Sequence, residues 1–246
     1  MTLTALTGPA YSRAMSQLLL IRHGQARFGT DDYDRLSAIG QRQARLVGAQ
    51  LADHGLSFDA WISGRPRRQQ HTARLAAERL GASGEPYVDP GFDEYDADAL
   101  FGAYLPGVLD EHPDLAARRD ELHTDRRLFQ RAFEQVMRRW LAGHTGEGDF
   151  EPWAAFKARV SAALARLHDD YPRDTRFAVF SSGGPIAVAV GTALGIPDTT
   201  TLELNWSLYN AAVTDLRSTR DGWRLLGFND ISAQRRAGDA ALVTFR

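Results

Sequence analysis

Apolar positions along this chain follow two rhythms. Short unbroken runs, with Leu18-Leu19-Leu20-Ile21 the first, read as buried strands. The run predicts a first strand over Gln17 to Arg22, and Phe58 to Ser63, Tyr87 to Asp89 and Arg176 to Phe180 read the same way. Two late strands, Ser207 to Leu216 and Trp223 to Phe228, are joined by a turn at Asp221-Gly222, and Leu242 to Phe245 reads as a further edge strand. Between the runs the spacing becomes helical. Ser37 can cap a helix whose apolar face carries Ile39, Val47 and Leu51 and which His54-Gly55 ends. Arg67 to Leu80 stops at Gly81. Trp153, Phe156, Val160, Leu164 and Leu167 fall three and four apart, which makes one core-facing stripe rather than an aromatic binding box, and Gly184 to Leu194 reads as a small-residue helix packed close to the sheet.

Alternation of the two rhythms predicts an α/β fold, a mainly parallel central sheet flanked by helices. A polar, helix-rich stretch at about 96–148, with breaks expected near Pro106 and over 143–148, reads as a helical insertion over that sheet. Residues 15–246 are expected to form a single domain. Residues 1–14 lack the long apolar core of a secretory signal and read as a tail ahead of Met15.

Composition narrows the partners. With 246 residues, 43% of them hydrophobic, the chain can bury a full core, and a net charge of -2 gives no basic bias toward nucleic acid or an anionic membrane. No run approaches the roughly 18 apolar residues of a membrane span. Lys157 is the only lysine, so nearly every basic side chain is a guanidinium. The absence of cysteine excludes disulfides, thiolate catalysis and Cys-based metal sites. The expectation is a cytoplasmic protein acting on a small molecule, with oligomeric state open.

Candidate chemistry begins at Arg22-His23-Gly24, where the first strand meets a loop. A neutral imidazole is a good nucleophile, and an adjacent arginine can fork donors onto the oxygens of an incoming phosphoryl group while glycine removes side-chain bulk. Read alone, the tripeptide is equally a surface Arg-His pair. In a parallel sheet, however, the ligand crevice lies beyond the carboxyl ends of the strands. His23, Ser182, either Arg67 or Arg68, and Glu94 each follow a predicted strand and can meet there. Glu94 on its own could be one more charge in an acidic loop with Asp89, Asp93, Asp96 and Asp98.

Leu18-Leu-Leu-Ile-Arg-His-Gly-Gln25, Leu36-Ser-Ala-Ile-Gly-Gln-Arg-Gln-Ala44, Arg68-Gln-Gln-His-Thr-Ala73, Phe92-Asp-Glu94 and Phe180-Ser-Ser-Gly-Gly-Pro185 occur in that order, and together they resemble the histidine phosphatase superfamily, in the branch of phosphoglycerate mutases and their phosphatase relatives. The resemblance runs from about residue 16 to about residue 230. It implies His23 as the phosphorylated nucleophile, Arg22 and Arg68 as phosphate ligands, and Glu94 as the acid, its pKa raised by burial or by acids such as Asp93. Arg68 stands four residues before Thr72, as the family's arginine does. Counting from Ser63 points instead to Arg67, but a helix fixes its own spacing and a loop absorbs an insertion, so Arg68 is preferred. Arg65 and Arg67 are then solvated or free for a second anionic group.

Two positions depart from the family. Ser182 stands where a second histidine is usual, leaving a neutral hydroxyl and the Ser182-Gly183-Gly184 backbone to bind phosphate, and Gly29 stands where many members have asparagine. His71, in a slot commonly held by glutamine, could compensate. The implied activity is phosphomonoester hydrolysis through a phosphohistidine on His23, with no metal and no cofactor. A weak or silent member that binds a phosphorylated ligand, and a phosphoglycerate-mutase-like phosphotransferase, stay open. A serine hydrolase built on Ser182 is disfavoured, since Phe180-Ser-Ser-Gly-Gly is not a Gly-x-Ser-x-Gly elbow.

Overall fold

A computed structural model describes residues 15–27, 32–81, 84–122, 124–144, 146 and 148–245. The expected tail at 1–14 and Gly29 lie outside the described residues. The first half supplies β1 (Gln17–Arg22), α1 (Ala38–Asp53), β2 (Ala60–Ser63), α2 (Arg67–Leu80) and the two-residue β3 (Tyr87–Val88). Ser37 caps α1 by accepting the Gly40 N–H at 3.0 Å, and Gly81 ends α2 in the left-handed conformation. Three helices then intervene, α3 (Ala97–Glu111), α4 (Pro113–Ala116) and α5 (Arg126–Leu141). The second half holds α6 (Trp153–Asp169), β4 (Arg176–Ser181), α7 (Gly183–Leu194), α8 (Asp198–Ser207), β5 (Val213–Thr219), β6 (Gly222–Asp230) and the short α9 (Ser232–Arg236).

Sheet order is β3-β2-β4-β1-β5-β6. The first four strands are parallel, whereas β5 runs antiparallel to β1 and β6 antiparallel to β5. Helices cover both faces. Leu18, Leu20, Phe177 and Val179 point to one face and join a buried cluster with α6, α7 and the helices of the 97–141 segment, including Tyr104, Val136 and Trp140. Leu19, Ile21, Ala178 and Phe180 point to the other and meet α1 and α2 through Val47, Leu51, Ala73 and Ala76. Full burial on both faces explains why β1 and β4 read as continuous apolar runs rather than alternating ones.

Several boundaries differ from expectation. Strand β5 begins at Val213, not Ser207. Ser207 ends α8, and the intervening 208–212 segment turns through Ala211 at φ +54°. Pro106 does not break α3: both it and Gly102, whose carbonyl the proline leaves without a helical donor, are exposed, so water can satisfy that oxygen. Strand β2 starts at Ala60, after Asp59, whose carboxylate accepts the Arg176 N–H at 2.8 Å. Leu242 to Phe245 forms no strand. Gln43 takes the Leu242 carbonyl at 2.8 Å and the Thr244 hydroxyl at 2.9 Å, so side chains rather than a ladder fix this segment.

Candidate active site

Strands β1 and β4 end together. Arg22 and Ser181 are the last registered pair, and the ladder continues one step further, His23 N–H donating to the Ser181 carbonyl at 2.8 Å. His23 and Ser182 therefore leave the sheet side by side. The His23 carbonyl in turn accepts from Ala211 N–H at 3.2 Å and Asn210 Nδ2 at 3.3 Å, which anchors the His23 main chain from the β5 side.

The imidazole is buried, only 5% exposed. Its Nδ1 lies 2.8 Å from the Gly24 carbonyl, an acceptor only, so the ring proton belongs on Nδ1 and the lone pair on Nε2. Arg68 Nε donates to that Nε2 at 3.2 Å. Burial first, then the charges of Arg68 and Arg22, hold the His23 pKa well below its ordinary value, so the ring is neutral near pH 7. Glycine at position 24 has a different role from the one expected. A Cβ there would lie 2.3 Å from the Gly40 carbonyl oxygen, and one on Gly40 would lie 2.1 Å from that of Gln25, so the pair lets α1 pack directly against the loop after β1. The Gly24 N–H is bound by Thr72 Oγ1 at 3.1 Å.

Of the two candidate arginines in α2, Arg68 is the one at His23. Its side chain is 12% exposed, against 67% for Arg67, and it is held by Asp34 at 2.7 Å and by the face of Tyr33 at 5.4 Å. Asp34 also accepts the Arg67 N–H at 2.8 Å. Helix α2 begins after Pro66, which has no capping side chain, so its first turn is capped by a residue from another loop. Arg22 donates to the Leu208 carbonyl. Arg65 is exposed and pairs with Asp93.

Glu94 sits at the opposite edge, its Oε2 accepting from Gly184 N–H and its Oε1 from Tyr95 N–H, both at 3.2 Å. Burial raises its pKa, offset in part by the Gly184 hydrogen bond and by the charges of Arg68 and Arg22. Asp93 is not the cause, because its carboxylate is turned to the Arg65 N–H and guanidinium. Gly184 is needed here, since a Cβ would stand 2.2 Å from Glu94 Oε1. Gly183 opens α7 beside Asn205, and Ser182 is fully buried with its Oγ accepting from Gln69 Nε2 at 2.7 Å. His71 makes no hydrogen bond or ion pair with His23, Arg68, Glu94 or Ser182 among the described residues, and its pKa is lowered by burial and then by Arg74, Arg45 and Arg35. The sequence gives no role to Asp34 or Asn210, ordinary polar residues outside any motif, nor to Gln69, which lies inside the Arg68–Ala73 motif without a chemistry of its own. Among the described residues no group of three or more His, Asp or Glu is placed to hold a metal ion.

A family model matches the sequence that builds this crevice. The model described as histidine phosphatase superfamily (branch 1) matches residues 18–144 and 120–231. The chain belongs to the histidine phosphatase superfamily. Within it, a 2,3-bisphosphoglycerate-dependent phosphoglycerate mutase of Bradyrhizobium sp. is 40% identical over 76 residues, which is 28% of this chain and 36% of the mutase. The corresponding mutase of Rhizobium rhizogenes is 33% identical over 93 residues, 35% of this chain and 44% of its own. These matches thus span less than half the length of the mutases. Solved structures share the fold across nearly the whole chain. The alpha-ribazole phosphatase of Shigella flexneri superposes with a TM-score of 0.59 at 21% identity, covering 87% of this chain and 96% of its own. Mycobacterial glucosyl-3-phosphoglycerate phosphatase in complex with inorganic phosphate gives 0.59 at 22%, covering 88% and 98%. This superfamily member has no described helix long and apolar enough to cross a membrane.

Proposed function

We propose that the protein hydrolyses a small phosphomonoester through a phosphohistidine on His23. The observation that carries this reading is the state of the imidazole: Nδ1 committed to the Gly24 carbonyl, Nε2 unprotonated, and the Arg68 guanidinium against that nitrogen. In the first step the Nε2 lone pair attacks phosphorus and the bond from phosphorus to the ester oxygen breaks. The Glu94 carboxyl, whose pKa burial raises, gives its proton to the leaving oxygen. Arg22 and Arg68, with the Ser182 hydroxyl and the Gly183 N–H, hold the equatorial oxygens as charge builds. In the second step the Glu94 carboxylate takes a proton from water, water oxygen bonds to phosphorus, the N–P bond breaks, and inorganic phosphate leaves with Glu94 protonated again.

No step calls on a metal ion. Turnover of an aryl phosphate in chelator, lost in His23→Ala, and an acid-labile phosphoryl label on His23 in rapidly quenched wild type test the reading together. Unchanged turnover in His23→Ala would overturn it. One observation favours a second reading, a weak catalyst that mainly binds a phosphorylated ligand: the position beside His23 carries a neutral serine whose oxygen already accepts a hydrogen bond. Phosphate or vanadate that stabilises a protein without turnover would select that reading. Product that carries the phosphoryl group on a second organic acceptor would select a mutase-like transfer, the activity named for the rhizobial relatives.

A further inference from the structure

Gln69 is fully buried in the first turn of α2, one residue after Arg68, and its amide reaches across to the end of β4. Its Nε2 lies 2.7 Å from Ser182 Oγ and 3.3 Å from the Phe92 carbonyl. The second contact orients the amide, because the opposite orientation would set Oε1 against a carbonyl oxygen, two acceptors facing each other. Gln69 therefore donates to Ser182. A serine hydroxyl has one proton and two lone pairs, and the Ser182 oxygen spends a lone pair on Gln69, the one side-chain hydrogen bond it makes among the described residues, which leaves its own proton to point elsewhere. Side by side with His23, that proton has the phosphoryl group as its natural acceptor.

We propose that Gln69 is a positioning residue, which by donating to Ser182 Oγ turns the serine's only proton onto the phosphoryl group that His23 receives. The proposal rests on the phosphohistidine reading. Room for the amide comes from Gly64, where a Cβ would stand 2.2 Å from Gln69 Oε1. Gln69 touches no reacting atom. Its effect passes through Ser182, so the two side chains should act as one unit.

The test compares wild type, Ser182→Ala, Gln69→Leu, the double variant Ser182→Ala/Gln69→Leu, and Gln69→Glu, each checked for a cooperative thermal transition. Ser182→Ala and Gln69→Leu should each lower kcat for an aryl phosphate about tenfold or more, with a smaller change in KM, and the double variant should be no slower than Ser182→Ala alone. Gln69→Glu tests direction. An ionised carboxylate accepts the serine proton instead of donating, so its activity should fall further below wild type as pH rises and recover as the introduced carboxyl is protonated. Wild-type turnover in Gln69→Leu, multiplying losses in the double variant, or a Gln69→Glu pH profile that parallels wild type would overturn the role of Gln69 while leaving the phosphohistidine intact. If wild type does not turn over, the phosphohistidine reading fails, and vanadate affinity of the same variants decides the positioning: equal losses that do not add support it, and unchanged affinity in Gln69→Leu overturns it.

Discussion

Arg68 and Asp34 form a 2.7 Å ion pair in which the aspartate also caps the helix that carries the arginine. One carboxylate thus aims the guanidinium and supplies the acceptor that Pro66 cannot. Asp34→Ala should lower the unfolding free energy by about 0.5–2 kcal/mol for the lost cap. It should also raise KM for a phosphomonoester several-fold, because Arg68 loses its anchor. Denaturant unfolding and steady-state kinetics on the same preparation separate the two effects.

Neighbouring arginines in α2 should differ sharply. Arg68→Ala removes a nearly buried cation at His23 and should cost about 10²-fold or more in kcat/KM. Arg67→Ala removes an exposed one and should stay within about threefold. Equal losses would make Arg67 a phosphate ligand alongside Arg68.

Charge states set opposite requirements at the two ends of the site. His23 must be neutral and Glu94 protonated, and their pKa values are displaced in the directions that make this possible, His23 downward and Glu94 upward. The pH profile of kcat/KM should rise on its acid side below the ordinary imidazole value of about 6.5 and fall on its alkaline side above the ordinary carboxylate value of about 4.3. Glu94→Gln should abolish the alkaline limb together with most of kcat.

Stability follows by linkage. A lowered folded pKa at His23 means the unfolded chain binds more protons below about 6.5, so the folded state loses stability as pH falls through that value. A raised folded pKa at Glu94 favours the folded state only while the carboxyl is protonated, so that contribution is lost as pH rises through the folded value. Glu94→Gln should therefore raise the melting temperature at neutral pH even as it inactivates, and a lower melting temperature there would contradict the burial cost assigned to this carboxylate.

Placing a histidine at position 182 should not help by itself. The position is fully buried, with the Gln69 amide 2.7 Å away, so an imidazole has no space unless that side chain recedes. Ser182→His should lower stability and leave turnover no higher than wild type, whereas Ser182→His/Gln69→Ala should recover stability and exceed wild type in kcat. Thermal melts and aryl phosphate assays on the pair decide it.

What the chain discloses about itself depends on the range of the interaction. Strand β1 and helices α1 and α2 could be read directly, since a four-residue apolar run, a Ser37 cap and a Gly81 stop are local signals. His23, Arg68, Glu94 and Ser182 could be nominated because each follows a strand in a parallel sheet, and the structure gathers them at one end of it. The start of β5 could not, because the 207–216 stretch mixes a helix end, a turn and a strand without a change in composition. Asp34 carries no pattern, and Gln69 sits inside the Arg68–Ala73 motif without a stated role: the meaning of each lies in a partner distant in sequence, and only the fold supplies it.

The order β3-β2-β4-β1-β5-β6 also has a consequence for synthesis. The strand that leads into His23 is the first of the six to leave the ribosome, yet both strands it bonds to, β4 and β5, are made only after residue 175. Until then Arg22 and His23 have neither the ladder nor the oxygens that hold them in place. A growing chain of this protein therefore carries His23 undocked for most of its translation, and the proposed phosphoryl transfer can begin only when the last third has closed around the first strand.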